Sequence, residues 1–400
     1  MDLTKGQSQA VTMVQNQLKE GHSGNTKTTI LAGFAGTGKT TMLKVLNSVI
    51  GELCILTPTG KAAIRVTEAT GLDASTVHRW MYRPTELPSG DVEFTLKPTD
   101  EIYAPASGLV VVDEASMLTK DMYLDILGVC QQIGCHLLLV GDPFQLPPVG
   151  DNFSVFNNDF NVFDKVTLTE VLRQALDNPI IRVSMAIRQS DPLEALYDLD
   201  FVSPTKAFAK AAEIVSQKGA VIVHRNNTRH LFNRENRKVL GLGDAIIKGE
   251  PLLVLKNNYQ ANLYNGELFE FPGWNYLTPN GVTIHDTWAK LTGHSKFGRI
   301  TYGGVDLALS ESEIHGNLES FSYKSKSTAS RKAVGKFPLI EANFGYCLTC
   351  HKAQGSEWAQ TLTVLEPSVR LDQKDGRRWL YTAITRASKN TWISWGGKYD

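Results

Sequence analysis

"TTILAGFAGTGKTTMLKVLNSVI", residues 28–50, decides the fold. Residues 28–33 form a short apolar run that predicts a strand, and residues 38–50 predict a helix. Between them "GFAGTGKT", Gly33 to Thr40, fits G-x-x-x-x-G-K-[ST]. Ordinary residue frequencies produce that pattern in roughly one chain in a hundred of this length. A strand before it and a helix after it supply the context in which it cradles phosphate. Glycines let backbone N–H groups curl around phosphate oxygens, and the helix start adds the positive end of its dipole. The predicted nucleotide-binding residues are therefore Gly33, Phe34, Ala35, Gly36, Thr37, Gly38, Lys39, Thr40 and Thr41. Lys39 would hold the β- and γ-phosphates and Thr40 would ligate Mg²⁺.

Outward from that loop, "ELCILT" (52–57), "GLVVVDE" (108–114) and "CHLLLVGD" (135–142) read as further strands. They are nearly continuous in hydrophobicity, as parallel strands buried on both faces are. Helical patterns at 38–50 and 60–70 alternate with them, which predicts a doubly wound α/β domain with ligands at the carboxyl ends of its strands. "VVVDEAS" places Asp113 at the end of an apolar strand, where a carboxylate can hold Mg²⁺. Glu114 is placed to orient and deprotonate an attacking water. With the phosphate loop, this pair predicts a nucleoside triphosphatase.

A second set of strand and helix signals follows at 165–174, 219–240, 375–388 and 390–395, so two α/β domains in series are expected. A length of 400 residues agrees with more than one domain. Residues 81–107 are rich in Pro and turn residues, and the alternation in "DVEFTL" predicts a small β-hairpin. Residues 241–340 read as a β-rich insertion with a Ser/Lys-rich tract at 321–335. The expected organisation is 1–150 for the first domain, interrupted at 81–107, and 151–240 plus 341–400 for the second, interrupted at 241–340.

Hydrophobic content of 42% and charged content of 20% describe a globular chain. No apolar run reaches the roughly 18 residues of a membrane-spanning helix. The opening "MDLTKGQSQAV" lacks the order of a secretory signal, so a cytoplasmic location and no membrane partner are expected. With 41 basic and 41 acidic residues, net charge points to no partner, though a local basic channel remains compatible with it. "YCLTCHKAQGSEW" (346–358) contains the C-x-x-C-H spacing of haem attachment at Cys347, Cys350 and His351. Five cysteines, an odd number with no export signal, argue against a disulfide framework, and neither close pair has the context of a zinc finger.

The remaining motifs resemble one family in order and wording: superfamily 1 helicases, in the Dda-like and RecD-like branch that moves 5′ to 3′. "LTKGQSQAV" is similar to its Q motif, "LTPTGKAA" (56–63) to motif Ia, "STVHRW" (75–80) to Ib and "GDPFQLPPVG" (141–150) to III. "LTEVLRQ" (168–174) resembles motif IV, "TCHKAQGSEW" (349–358) motif V and "LYTAITRAS" (380–388) motif VI. The haem spacing is then a coincidence inside motif V. The resemblance implies two tandem RecA-like domains, a hairpin pin at 81–107 and an SH3-like insertion in 241–340, where "NGE" (265–267) is similar to a family phrase. It implies ATP and Mg²⁺ in a cleft between the domains. Gln7 would read the adenine, Gln145 would sense the γ-phosphate, Gly355 and Glu357 would lie at the nucleotide, and Arg173 and Arg386 would act as arginine fingers. Such a finger is worth roughly 10³ to 10⁵ in kcat.

By the same resemblance, DNA would touch Pro58, Thr59, Thr76, His78, Thr349 and His351, with the histidines stacking on bases, binding phosphate or serving as structural residues. Phe94 is the expected strand-separating wedge, although Val92, Phe94 and Leu96 share one face and could pack beneath the hairpin. Lys324, Lys326, Arg331 and Lys332 would either follow phosphates or solvate a loop. The implied partners are single-stranded and duplex DNA and a single-strand-binding or replication protein. The implied state is a monomer and, by likeness to the phage member, the host cytoplasm. An RNA helicase, a motor subunit of an ATP-dependent nuclease and an ATP-gated DNA clamp remain alternatives.

Overall fold

The computed structural model describes residues 3–19, 21, 26–86, 92–148, 150–151, 153–157, 162–171, 177–189, 196–243, 246–255, 263, 265–273, 297–302, 305–310 and 339–395. Contacts divide the chain into two units. The first comprises Met1–Leu199, Gln354–Glu357 and Arg370–Lys389. The second comprises Asp200–Ala353, Trp358–Val369 and Asn390–Asp400.

In chain order the first unit opens with α1 (Lys5–Lys19), β1 (Thr28–Gly33), α2 (Lys39–Ile50), β2 (Cys54–Thr57), α3 (Gly60–Thr70), β3 (Ala74–Thr76) and α4 (Val77–Met81). A hairpin of β4 (Tyr82–Glu86) and β5 (Val92–Leu96) comes next, then β6 (Leu109–Val112), α5 (Lys120–Gln132), β7 (His136–Gly141), β8 (Val162–Leu168) and α6 (Pro179–Arg188). Six strands form a sheet in the order β3-β2-β6-β7-β1-β8, and every pairing in it is parallel.

Two-residue periodicity explains the continuous apolar runs, because alternate side chains enter different cores. Ile30, Val110, Val112, Leu137 and Leu139 pack with Val77, Met81, Ile126 and Cys130 from α4 and α5. Their neighbours Leu31, Ile55, Val111, Leu138 and Val140 pack with Met13, Val14, Leu43 and Leu46 from α1 and α2. β8 differs: as an edge strand it is largely exposed along its middle. It also corrects the expectation that "KVTLTEVLRQ" opens the second α/β set. Its strand pairs with β1 in the first sheet, from Thr28↔Val162 to Gly33↔Leu168.

The second unit holds β9 (Asp200–Val202), α7 (Ala207–Ser216), β10 (Ala220–Val223) and α8 (Asn226–Val239). The β-rich stretch adds β11 (Pro251–Val254), β12 (Leu268–Glu270), β13 (Phe297–Tyr302), β14 (Val305–Ser310), β15 (Leu339–Ile340) and β16 (Ala342–Phe344). β17 (Cys347–Thr349), α9 (Cys350–Ala353), β18 (Trp358–Leu365), α10 (Lys374–Ile384) and β19 (Ala387–Trp395) complete the chain. The second sheet has the order β17-β10-β18-β19-β9, with β10 parallel to β17 and β18, and β19 parallel to β9. Two three-stranded sheets, β12-β11-β16 and β13-β14-β15, account for the described strands of the insertion. Its basic tract at 321–335 lies outside the described residues.

α10 belongs by contact to the first unit, while β18 and most of β19, which flank it in sequence, belong to the second. The expected helix at 375–388 ends at Ile384, and strand conformation begins at Ala387. No helix among the described residues is long and apolar enough to cross a membrane.

Candidate nucleotide site

The glycine loop runs from the end of β1 to the start of α2, and its backbone requires its sequence. Gly36 and Gly38 have φ of 76° and 80°, the left-handed region that favours glycine. A Cβ on Gly33 would come within 2.8 Å of Thr37 Oγ1 and 3.0 Å of Lys39 Cγ. The Phe34 carbonyl accepts hydrogen bonds from Lys39 Nζ at 2.9 Å and Thr37 Oγ1 at 2.8 Å. Its ring lies under the Arg188 guanidinium, 3.6 Å from carbon to ring centroid, a cation–π contact that braces the loop.

A cavity of about 250 Å³ opens at this loop. Ala35, Gly36, Gly38, Lys39, Thr40 and Thr41 line it from the loop side, and Asp113 and Glu114 from the end of β6. Gln145, Glu357 and Arg386 line it as well, so motifs far apart in sequence meet around one space. All of these residues belong to the first unit.

The acidic pair is held firmly. Asp113 is buried, and its Oδ1 accepts the Glu114 N–H at 2.9 Å. Burial, and then the charge of Glu114, push the Asp113 carboxyl up to about 6. Glu114 has φ 54°, unusual for a residue with a side chain and a form of strain that collects at functional sites. Glu114 Oε2 and Gln145 Oε1 are buried acceptors with no hydrogen-bond partner. Such orphaned acceptors suit a site completed by a cation or by a donor on a ligand. Thr40 and Asp113 therefore fit a Mg²⁺ ion in both chemistry and location.

A second set of hydrogen bonds ties the loop after β7 to α10. Arg378 donates to the Gln145 carbonyl through Nε at 3.1 Å and a terminal nitrogen at 2.6 Å. Gln354 donates to the Leu146 carbonyl at 2.8 Å, and Leu146 N–H donates to Thr382 Oγ1 at 3.0 Å. Arg386 is buried and donates to the carbonyls of Thr382 at 3.0 Å and Ser356 at 3.2 Å. Its reach into the cavity is thus set by the backbone of α10 and of the segment before β18.

The other expected site residues divide. Gln7 is buried in α1 and forms a reciprocal capping box with Thr4: Thr4 N–H donates to Gln7 Oε1 at 3.1 Å, and Gln7 N–H to Thr4 Oγ1 at 3.2 Å. Its amide nitrogen donates to the Thr37 carbonyl at 3.4 Å, so it abuts the phosphate loop without lining the cavity. Gly355, at φ 72°, is not a lining residue either; a Cβ there would meet Thr59 Oγ1 at 3.0 Å. Arg173 lies outside the described residues.

Pro58 and Thr59 join β2 to α3, and Thr59 caps α3 by accepting the Ala62 N–H at 3.3 Å. Thr76 caps α4 through the Arg79 N–H at 3.1 Å. His78 packs its ring on Tyr82 and Phe94, with centroids 5.4 and 5.9 Å away, and burial holds its pKa below the usual histidine range. Phe94 is 37% exposed despite those contacts. Thr349 and His351 belong to the second unit, the other five to the first. Cys347 and Cys350 are buried and form no disulfide, and Cys347 sits in the second unit's apolar core.

Sequence reasoning passed over Arg65, Asp142, Asn178 and Tyr381. Arg65, Asp142 and Asn178 line the cavity, and Tyr381 bonds to both Asp142 and the phosphate loop. Asp142 ends the apolar run of β7 as Asp113 ends that of β6, a signal that was available in the sequence. Tyr381 sits inside the stretch read as motif VI, and Arg65 two residues beyond the one read as motif Ia, and neither carries a mark of its own.

A glycine loop between a parallel strand and a helix, facing a buried acidic pair at the end of β6, two strands away in the same sheet, defines a P-loop nucleoside-triphosphatase fold. The chain belongs to the family described as AAA domain, whose model matches residues 2–204. A second model, the UvrD-like helicase C-terminal domain, matches residues 344–394. The chain is 29% identical to the ATP-dependent RecD2 DNA helicase of Deinococcus radiodurans, over 96% of this chain and 48% of that protein. It is 25% identical to the RecBCD enzyme subunit RecD of Mycolicibacterium smegmatis, over 90% of this chain and 66% of the relative. It therefore spans about half to two thirds of these relatives. Crystallised Pif1 helicase from Bacteroides, in complex with ADP-AlF3 and ssDNA, shares the fold with a TM-score of 0.55 at 18% identity, covering 100% of this chain and 94% of that one. The resemblance to the RecD-like branch of superfamily 1 helicases, read from the motifs, and the tandem RecA-like fold it implied are both supported.

Proposed function

We propose that this chain is an ATP-dependent DNA helicase that moves 5′ to 3′ on single-stranded DNA and opens duplex. The observation that carries the reading is the gathering of Lys39, Thr40, Asp113, Glu114, Gln145 and Arg386 around one cavity. Lys39 and the loop amides would hold the β- and γ-phosphates. Thr40 and Asp113 would hold Mg²⁺, which supplies positive charge at the phosphate oxygens. Glu114 would take the proton of the attacking water, Gln145 would sense the terminal phosphate, and Arg386 would offset the charge that grows there. Glu357 would meet the ribose.

Hydrolysis is readily connected to motion through α10. Arg378 and Thr382 of this helix grip the backbone at Gln145 and Leu146. The same helix is continuous in the chain with β18 and β19 of the second sheet. Loss of the terminal phosphate at Gln145 would shift that grip and pull on both strands. Pro58, Thr59, Thr76, His78, Thr349 and His351 are the proposed contacts to the strand. The organisation read from the sequence, two RecA-like halves with a pin at 81–107 and an insertion at 241–340, suits this reading. DNA is favoured over RNA because the related proteins are described as DNA helicases or were crystallised with ssDNA.

The test is strand displacement on duplexes with 5′ or 3′ tails, with Lys39→Ala as the inactive control. Unwinding of 5′-tailed DNA alone is expected. Displacement only from 3′ tails would overturn the polarity, a preference for RNA tails would overturn the substrate, and hydrolysis without displacement would leave a clamp.

A further inference from the structure

Arg65 projects from α3 into the cavity and grips two carboxylates. One terminal nitrogen lies 3.4 Å from Glu114 Oε1, and the other 2.8 Å from Glu357 Oε2. A half-exposed pair of this kind adds little to stability, so its geometry matters more than its energy. Glu114 Oε1 is engaged by the guanidinium, while Oε2 is buried without a partner. A general base needs that division: a carboxylate fixed in orientation, with one oxygen left for the proton it accepts. Backbone placement alone leaves the Glu114 side chain its rotamers, and Arg65 is the cation seen at its tip. The planar fork of arginine suits the task, because it reaches both carboxylates at once, which the point charge of lysine does not.

We propose that Arg65 is a positioning residue for triphosphate hydrolysis. It pins Glu114 Oε1, is itself anchored by Glu357, and so leaves Oε2 for the attacking water. This rests on the reading of the cavity as a triphosphatase site.

The experiment measures ATP hydrolysis by the full chain with Mg²⁺ and single-stranded DNA. Arg65→Ala should lower kcat by on the order of tenfold to a hundredfold, as a misplaced catalytic group does, with KM for ATP nearly unchanged. Arg65→Lys should recover part of the loss. In a Glu114→Gln background, single-turnover measurement should show no further loss on adding Arg65→Ala, because the two changes act through one group. Unchanged kcat, a rise in KM alone, or a full additional loss in the Glu114→Gln background would overturn the proposal; the last would put the guanidinium on the phosphate itself. If Arg65→Ala melts at a lower temperature, Arg65→Lys and the double-variant comparison carry the test. Absence of hydrolysis in the unaltered protein would instead remove the parent reading.

Discussion

The Tyr381 hydroxyl donates to Asp142 Oδ2 at 2.5 Å and accepts the Ala35 N–H at 2.9 Å. One phenol therefore joins α10, the end of β7 and the phosphate loop. Burial holds the phenol well above the usual tyrosine range and raises the Asp142 carboxyl. Tyr381→Phe leaves Asp142 with the Phe144 N–H at 2.9 Å but strips the Ala35 amide of this partner. Leaving such buried groups short costs about 1–3 kcal/mol. The urea midpoint should fall accordingly, and hydrolysis should fall with it.

Lys39→Ala removes the cation proposed to hold the β- and γ-phosphates. Loss of one preorganised charge contact costs on the order of 10² to 10³ in rate. Phosphate release should drop by at least that factor while the melting temperature stays near that of the unaltered protein.

Phe94→Ala separates the two readings of the hairpin. The ring is 37% exposed, yet its edge meets His78 and Tyr82. As a wedge it must help offset a mean of about 1.4 kcal/mol per opened base-pair step. DNA-stimulated hydrolysis should persist while strand displacement falls. Equal loss of both would make Phe94 a packing residue.

Lys352 should impose a pH dependence. Burial, and then the charge of Arg229, push its ammonium down to about 8 from 10.5. The folded state therefore binds fewer protons than the unfolded state between those values, and stability must rise with pH across that window. The contribution is fully present above 10.5 and is lost as pH falls through about 8. The difference in urea midpoint between the unaltered protein and Lys352→Met should shift steadily from pH 8 to 10.5 in favour of the unaltered protein. A flat difference would mean that the ammonium keeps its ordinary pKa.

Much of this was legible locally. Strand, glycine loop and helix at 28–50 follow from patterns a few residues long, as do the hairpin and the placement of Asp113 and Glu114 at a strand end. The sheet of β8 is not legible in this way, because a strand's sheet is chosen by its partners, and "KVTLTE" carries no sign that Thr28–Gly33 would be its neighbour. The bonds of the Gln7 side chain to Thr4 and Thr37 are likewise not legible in its motif.

The amino-acid order alone determined that this chain has a phosphate loop and a strand-end acidic pair, because those depend on backbone conformation and short-range periodicity. Only the tertiary structure decided that Arg65 meets Glu114 and Glu357, that Tyr381 bridges Ala35 and Asp142, and that α10 sides with the first unit. Those are contacts between residues up to 346 positions apart. They depend on side-chain reach and on which buried polar groups find each other, and no local pattern encodes that choice.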